Sequence, residues 1–149
     1  MKIYNTLSGK KDLLKPIKGK KINLFVCGPT VYDYSHIGHA KNSITFDIFV
    51  KYLRHLGYNI FYLQNITDLD DKIIARAREK DVSPKDLAAA FEKDYLQNMK
   101  QLSVDSVSKY ARATNYIKEI ISQVKRLQEK GYAYEIEGDG IYFDISKFK

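Results

Sequence analysis

The stretch from Ile22 to Ile66 restricts the fold more than any other part of the chain. Ile22-Asn23-Leu24-Phe25-Val26 is a short, largely apolar run that predicts a buried strand. Cys27-Gly28-Pro29-Thr30 ends it, because glycine and proline interrupt a strand ladder. Ile37, Ala40, Ile44, Ile48, Tyr52 and Leu56 then recur at helical spacing, with Ser35 where a cap belongs and Gly57 at the left-handed stop. Tyr58 to Ile66 is rich in aromatic and β-branched residues and predicts a second strand. A strand, a long helix and a strand in this order form a βαβ unit, so the fold class is α/β with a parallel sheet.

Beyond residue 66 the pattern turns helical. Asp70 to Lys80 predicts one helix. Ser83-Pro84, a cap followed by proline in the first turn, starts another that runs to about Leu102. A further helix is expected from about Ala113 to Lys130, with Ile117, Ile120, Ile121, Val124 and Leu127 on one face and Gly131 after it. Tyr132–Ile136 and Ile141–Ile145, separated by Glu-Gly-Asp-Gly, predict a β-hairpin. A doubly wound nucleotide-binding sheet needs two βαβ-type halves, and one is visible here. The chain therefore reads as the N-terminal portion of a longer enzyme, opening with a basic leader (1–21).

Composition narrows the class. With 44% hydrophobic residues the chain can bury a core, which excludes a disordered tail or a collagen-like repeat. One cysteine, Cys27, excludes an internal disulfide and predicts a reducing, cytoplasmic setting. No apolar run approaches the roughly 20 residues of a membrane span, and the first 15 residues lack the apolar middle of a signal peptide. The net charge of +7 is concentrated: residues 1–21 hold seven lysines against Asp12 alone. Such a leader is either a solvated surface or a contact for an RNA backbone.

Chemical groups are densest from Cys27 to Ala40, where the first strand ends and the helix begins. That end of an open α/β sheet is where ligands bind, because helix N-termini present free N–H groups and a positive dipole. His36 and His39 are three residues apart on one side of the first turn, and Gly38 leaves room between them for a flat ligand to reach the backbone. Near the positive helix end both imidazoles favour the neutral form, able to donate one hydrogen bond to a phosphate oxygen. On these residues alone, capping or surface roles stand beside the nucleotide-site reading. Asp68, Asp70 and Asp71 form an acidic cluster, which helix-start preferences explain as well as a metal does.

The flanking words carry a resemblance. His36-Ile37-Gly38-His39 resembles the signature of class I aminoacyl-tRNA synthetases, and Cys27-Gly28-Pro29-Thr30-Val31-Tyr32-Asp33 resembles the cysteinyl branch of that family. Gln64-Asn65-Ile66-Thr67-Asp68-Leu69-Asp70-Asp71-Lys72-Ile73-Ile74 does so as well, with weaker echoes in Arg112-Ala113-Thr114 and Gly140-Ile141-Tyr142-Phe143-Asp144. The resemblance implies a Rossmann-like catalytic domain, of which 22–102 is the first half, with a helical connecting insertion after the second strand and 103–149 as the start of that insertion. It implies ATP-dependent activation of L-cysteine to cysteinyl-adenylate, followed by transfer to tRNA(Cys), by a cytoplasmic, monomeric enzyme without a membrane partner.

By the same resemblance His36 and His39 are catalytic. Pro29, Thr30, His36, Gly38 and His39 bind ATP, which enters with Mg2+, and Gly28 and Thr67 meet the cysteine substrate. Cys27 is the first ligand of a zinc ion (Zn2+) whose remaining ligands lie beyond residue 149, and residues 1–149 alone are expected to be inactive. Two other readings stand beside this one. A cysteine ligase of the mycothiol type carries Gly-Ile-Thr-Pro after its cysteine, where this chain has Gly28-Pro29-Thr30-Val31. A non-catalytic nucleotide- or RNA-binding module is the second.

Overall fold

In a computed structural model, which describes residues 1–16 and 18–148, β1 (Lys2–Asn5) and β2 (Lys10–Leu13) pair as an antiparallel hairpin. Residues 2–13 of the basic leader are thus folded: Ile3 and Asn5 share one face with Asp12, whose carboxylate accepts hydrogen bonds from Asn5 Nδ2 and Ser8 Oγ. β3 (Lys21–Val26) and β4 (Asn59–Ile66) then run parallel, in register from Lys21 opposite Asn59 to Val26 opposite Gln64. α1 (Ile37–His55) connects them and ends at Gly57, whose φ of 80° is the left-handed stop. This is the expected βαβ unit.

α2 (Asp71–Glu79) and α3 (Pro84–Gln101) follow. Asp70 caps α2 through a hydrogen bond from the Lys72 amide, and Ser83 caps α3 ahead of Pro84. β5 (Lys109–Arg112) completes a three-stranded sheet in the order β3-β4-β5. The sequence did not predict β5, a four-residue strand with charges at both ends.

One core cluster joins Val31, Ile66, Ile73, Leu87, Phe91, Tyr95, Met99 and Val104; the other joins Val26, Val50, Leu53, Ile60 and Tyr62. The predicted stripe of α1 is only in part its buried face: Ile44 packs against the core, but Ile37 is 85% exposed and Ile48 61%, while Ser43, Asp47, Val50 and Leu53 are buried. The two buried polar groups are satisfied from afar. Ser43 meets the Tyr95 hydroxyl, and Asp47 accepts the amides of Asp105 and Ser106 and pairs with Lys51 at 2.7 Å. Burial alone would raise the Asp47 carboxyl, but hydrogen bonds from Lys51, Ser106 and Asp105 outweigh it and hold it below the usual range.

The chain divides into two compact units, Met1–Ala111 and Arg112–Lys149. Residues past 102 therefore still belong to the first unit, whose core includes Val104. In the second, a short 3-10 turn (Ala113–Tyr116) leads into α4 (Ile117–Glu129), and β6 (Ala133–Ile136) pairs with β7 (Gly140–Phe143) around a tight turn at Gly138. Ile145 does not extend the hairpin; it opens a 3-10 turn capped by Asp144. Among the described residues no helix is long and apolar enough to cross a membrane.

Candidate active site

The parallel ladder does not stop cleanly at Val26. It resumes with a bridge between Thr30 and Thr67, where the Val31 amide donates to the Thr67 carbonyl and the Thr67 amide to the Pro29 carbonyl. From Val26 to Thr30 is four residues, against three from Gln64 to Thr67, so Cys27-Gly28-Pro29 holds one residue too many and bulges. Gly28 is obligatory there, since a Cβ would lie 1.8 Å from the Asn65 carbonyl oxygen. The Asn65 side chain fills the resulting gap. Its Oδ1 accepts the Gly28 amide at 2.8 Å, and its Nδ2 donates to Thr67 Oγ1 at 3.1 Å.

The loop after the bulge is tied to α2 and α3. Asp33 pairs with Arg76 at 3.3 Å, Tyr32 lies under the Lys72 ammonium, and the Tyr34 ring meets Phe91 edge-on at 5.1 Å. This brings the chain to α1 at His36, not Ser35, as the capping residue. The helix begins at Ile37, so the extended residue before it, His36 (φ −115°, ψ 174°), is the one in position to cap.

The cap is reciprocal and fixes both imidazoles. His36 Nδ1 accepts the Gly38 amide at 3.0 Å, and His39 Nδ1 accepts the His36 amide at 3.2 Å. A neutral imidazole that accepts at Nδ1 carries its proton on Nε2. Each ring therefore offers one N–H donor, and the rings stack with centroids 4.0 Å apart. Partial burial, and then the nearby His36, lower the His39 pKa, so this donor stays neutral. Gly38 serves the cap, because a Cβ would come within 2.8–2.9 Å of the His36 ring; the space that the sequence assigns to a ligand is filled by that imidazole.

A cleft of about 400 Å³ is lined by Gly28, Pro29, Thr30, Tyr32, Asp33, Tyr34, His36 and His39. Of the expected ATP-site residues it gathers Pro29, Thr30, His36 and His39, while Gly38 does not line it. No acidic residue stands in the first turn of α1, so the positive helix end is uncompensated there. An anion fits this chemistry.

Beside the cleft a smaller cavity of about 40 Å³ brings Cys27 together with Gly28, Pro29 and His39 above a polar floor of Gln64, Ser43 and Tyr95. The Tyr95 hydroxyl donates to Gln64 Oε1 at 3.2 Å and lies 3.3 Å from Ser43 Oγ.

Cys27 is exposed and free, its Sγ 3.8 Å from the Gly28 carbonyl oxygen, so it fits one thiolate ligand of a metal. A zinc site needs more, and among the described residues no group of three His, Cys, Asp or Glu side chains could hold a metal ion. Of the aspartates after Thr67, Asp70 caps α2 and Asp71 stands in its first turn. Sequence reasoning missed Asn65 and the Ser43–Tyr95–Gln64 network. An asparagine at the end of an apolar strand was a signal for the first, since asparagine is depleted in strands; the second joins residues 31 and 52 positions apart and left none.

Residues 13–149 match the family of class I (C) tRNA synthetase catalytic domains. The chain is similar to the cysteine–tRNA ligase of Thermoplasma acidophilum, with 55% identity over 99% of this chain and 32% of that protein. It is also 50% identical to the cysteine–tRNA ligase of Thermococcus kodakarensis, over 100% of this chain and 31% of the relative. The chain thus spans about a third of the length of these curated relatives. Among solved structures, Mycobacterium tuberculosis methionyl-tRNA synthetase in complex with methionyl-adenylate shares the fold at a TM-score of 0.72. The identity there is 19%, covering 78% of this chain and 23% of that one.

Proposed function

Because the chain belongs to the class I (C) tRNA synthetase catalytic-domain family, we propose that residues 1–149 supply the nucleotide- and amino-acid-binding first part of a cysteine–tRNA ligase. The observation that carries this reading is the pair of stacked imidazoles, each with its N–H on Nε2, at an uncompensated helix N-terminus beside the cleft.

In the proposed reaction the cysteine carboxylate attacks the α-phosphorus of ATP, which enters with Mg2+. Cysteinyl-adenylate forms, pyrophosphate leaves, and the cysteinyl group then passes to tRNA(Cys). Negative charge grows on the phosphate oxygens during the attack. Nε2–H donors of His36 and His39, held in place before the reaction, stabilise that charge without reorganising, and they do so best at the transition state. Pro29 and Thr30 line the ATP side of the site, Gly38 serves it by leaving room for the His36 ring, and Gly28 and Thr67 hold the amino acid at the paired strand ends.

Cys27 is assigned as one zinc ligand, the others coming from chain outside residues 1–149. Zinc would supply a soft Lewis acid with a preference for thiolate over hydroxyl. A monomeric, cytoplasmic enzyme completes the reading.

The test uses the full-length protein with ATP, tRNA(Cys) and each amino acid in turn. Cysteine alone should drive pyrophosphate exchange and charging, and Cys27→Ser should lower zinc content by metal analysis. Activation of another amino acid in place of cysteine would overturn the substrate assignment; full zinc content in Cys27→Ser would overturn the ligand assignment.

A further inference from the structure

We propose that Asn65 is a positioning residue of the amino-acid site, a carboxamide strut that spans the bulge and aims the Thr67 hydroxyl at the substrate. The inference rests on the function proposed above.

The bulge creates the need. Between the Val26–Gln64 and Thr30–Thr67 rungs, the surplus residue carries the Gly28 amide out of the regular ladder. A half-buried amide must find an acceptor elsewhere. Asn65 Oδ1 provides it at 2.8 Å, across 37 residues of sequence. With Oδ1 committed to a donor, the amide orientation is set and Nδ2 faces Thr67 Oγ1 at 3.1 Å. The hydroxyl is then an acceptor toward Asn65, which leaves its own proton to donate elsewhere. In the proposed reaction the fitting acceptor is a carboxylate oxygen of the amino acid.

Asn65 lies on the strand face that carries Thr67, whose bridge partner Thr30 lines the larger cleft, whereas Gln64 on the other face lines the Cys27 cavity. Successive side chains alternate, so Asn65 and Thr67 share a face while Gln64 turns to the buried Tyr95. The close approach of Gly28 to the Asn65 carbonyl leaves no room for a side chain between the two strand ends. Asparagine is a poor strand residue, and a valine here would suit the strand better while leaving the Gly28 amide without this acceptor.

The experiment measures cysteine-dependent pyrophosphate exchange in the full-length protein. Asn65→Ala should raise the cysteine KM about tenfold, the scale of one lost aimed hydrogen bond, with the ATP KM within about twofold of wild type. In a Thr67→Val background the same substitution should have a much smaller effect on the cysteine KM, because the group it aims is gone. Asn65→Asp, which keeps the shape and the acceptor for Gly28 but loses the donor to Thr67, should also raise the cysteine KM, and it serves if Asn65→Ala does not fold. An unchanged cysteine KM, an equal rise in both KM values, or an undiminished effect in the Thr67→Val background would overturn the inference. A wild-type protein with no cysteine-dependent exchange would instead overturn the function on which it rests.

Discussion

The starts of α1 and α3 solve one physical problem in opposite ways. Both helices leave their first amides without intrahelical partners and present the positive end of a dipole. At α3 the answer is stability. Ser83 Oγ accepts the Asp86 amide at 3.1 Å and donates to the Asp86 carboxylate at 2.7 Å, Pro84 occupies the first turn, and the acid sits where the dipole favours it. At α1 two neutral imidazoles satisfy two amides, no acid stands in the first turn, and each ring keeps an N–H for something else. The start of α3 is internally complete; the start of α1 caps two amides and still holds an imidazole N–H donor on each ring beside the cleft.

The largest expected effect lies at α1. Asparagine is itself a good capping residue, so His36→Asn keeps a cap while removing the aimed donor, and His39→Asn removes the other donor. Each should lower kcat of the full-length protein by about 10²–10³-fold, roughly 2.7–4 kcal/mol, with a small change in the ATP KM. Steady-state kinetics decide this, and a rise in KM alone would make these residues ground-state binding groups.

The same pair predicts a pH profile. Because the His39 pKa is lowered below its ordinary 6.5, the acid limb of the activity should lie below that value. Stability follows the same sign. As pH falls through 6.5 the unfolded chain takes up a proton that folded His39 resists, so this group's contribution shifts against folding.

A smaller effect is expected at α3. Ser83→Ala should cost about 1 kcal/mol of stability, seen as a lowered Tm, and leave kinetics unchanged. Loss of activity at constant Tm would break the contrast between the two helix starts. The smallest effect comes from importing the α3 solution into α1. Ile37 is the first residue of α1 and is exposed, so Ile37→Asp should stabilise the helix by about 0.3–1 kcal/mol while raising the ATP KM. An unchanged ATP KM would mean that the helix end does not meet the nucleotide.

What was legible in the sequence follows from the range of the signals. Ser83-Pro84, Gly57 and the Gly-Asp-Gly turn act through their own backbone, and each marks an element end in the structure. Motif spelling also placed His36, His39, Pro29 and Thr30 together, because they lie within eleven consecutive residues and need only one loop to meet. The β1–β2 hairpin was hidden among lysines that alternate poorly, and β5 is a strand because β4 offers it an edge.

The sequence by itself determined the βαβ unit, the stop signals and the identity of the residues at the strand end, since these depend on local propensity and short-range spacing. Tertiary structure alone decided which face of α1 is buried, because Ser43 and Asp47 lie inward only once Tyr95 and Ser106 arrive from 52 and 59 residues away. It likewise decided the partners of Asn65. Its two hydrogen bonds exist because a one-residue mismatch between two parallel strands leaves the Gly28 amide to be satisfied, and a mismatch between strands is a property of their register, which neither strand contains alone.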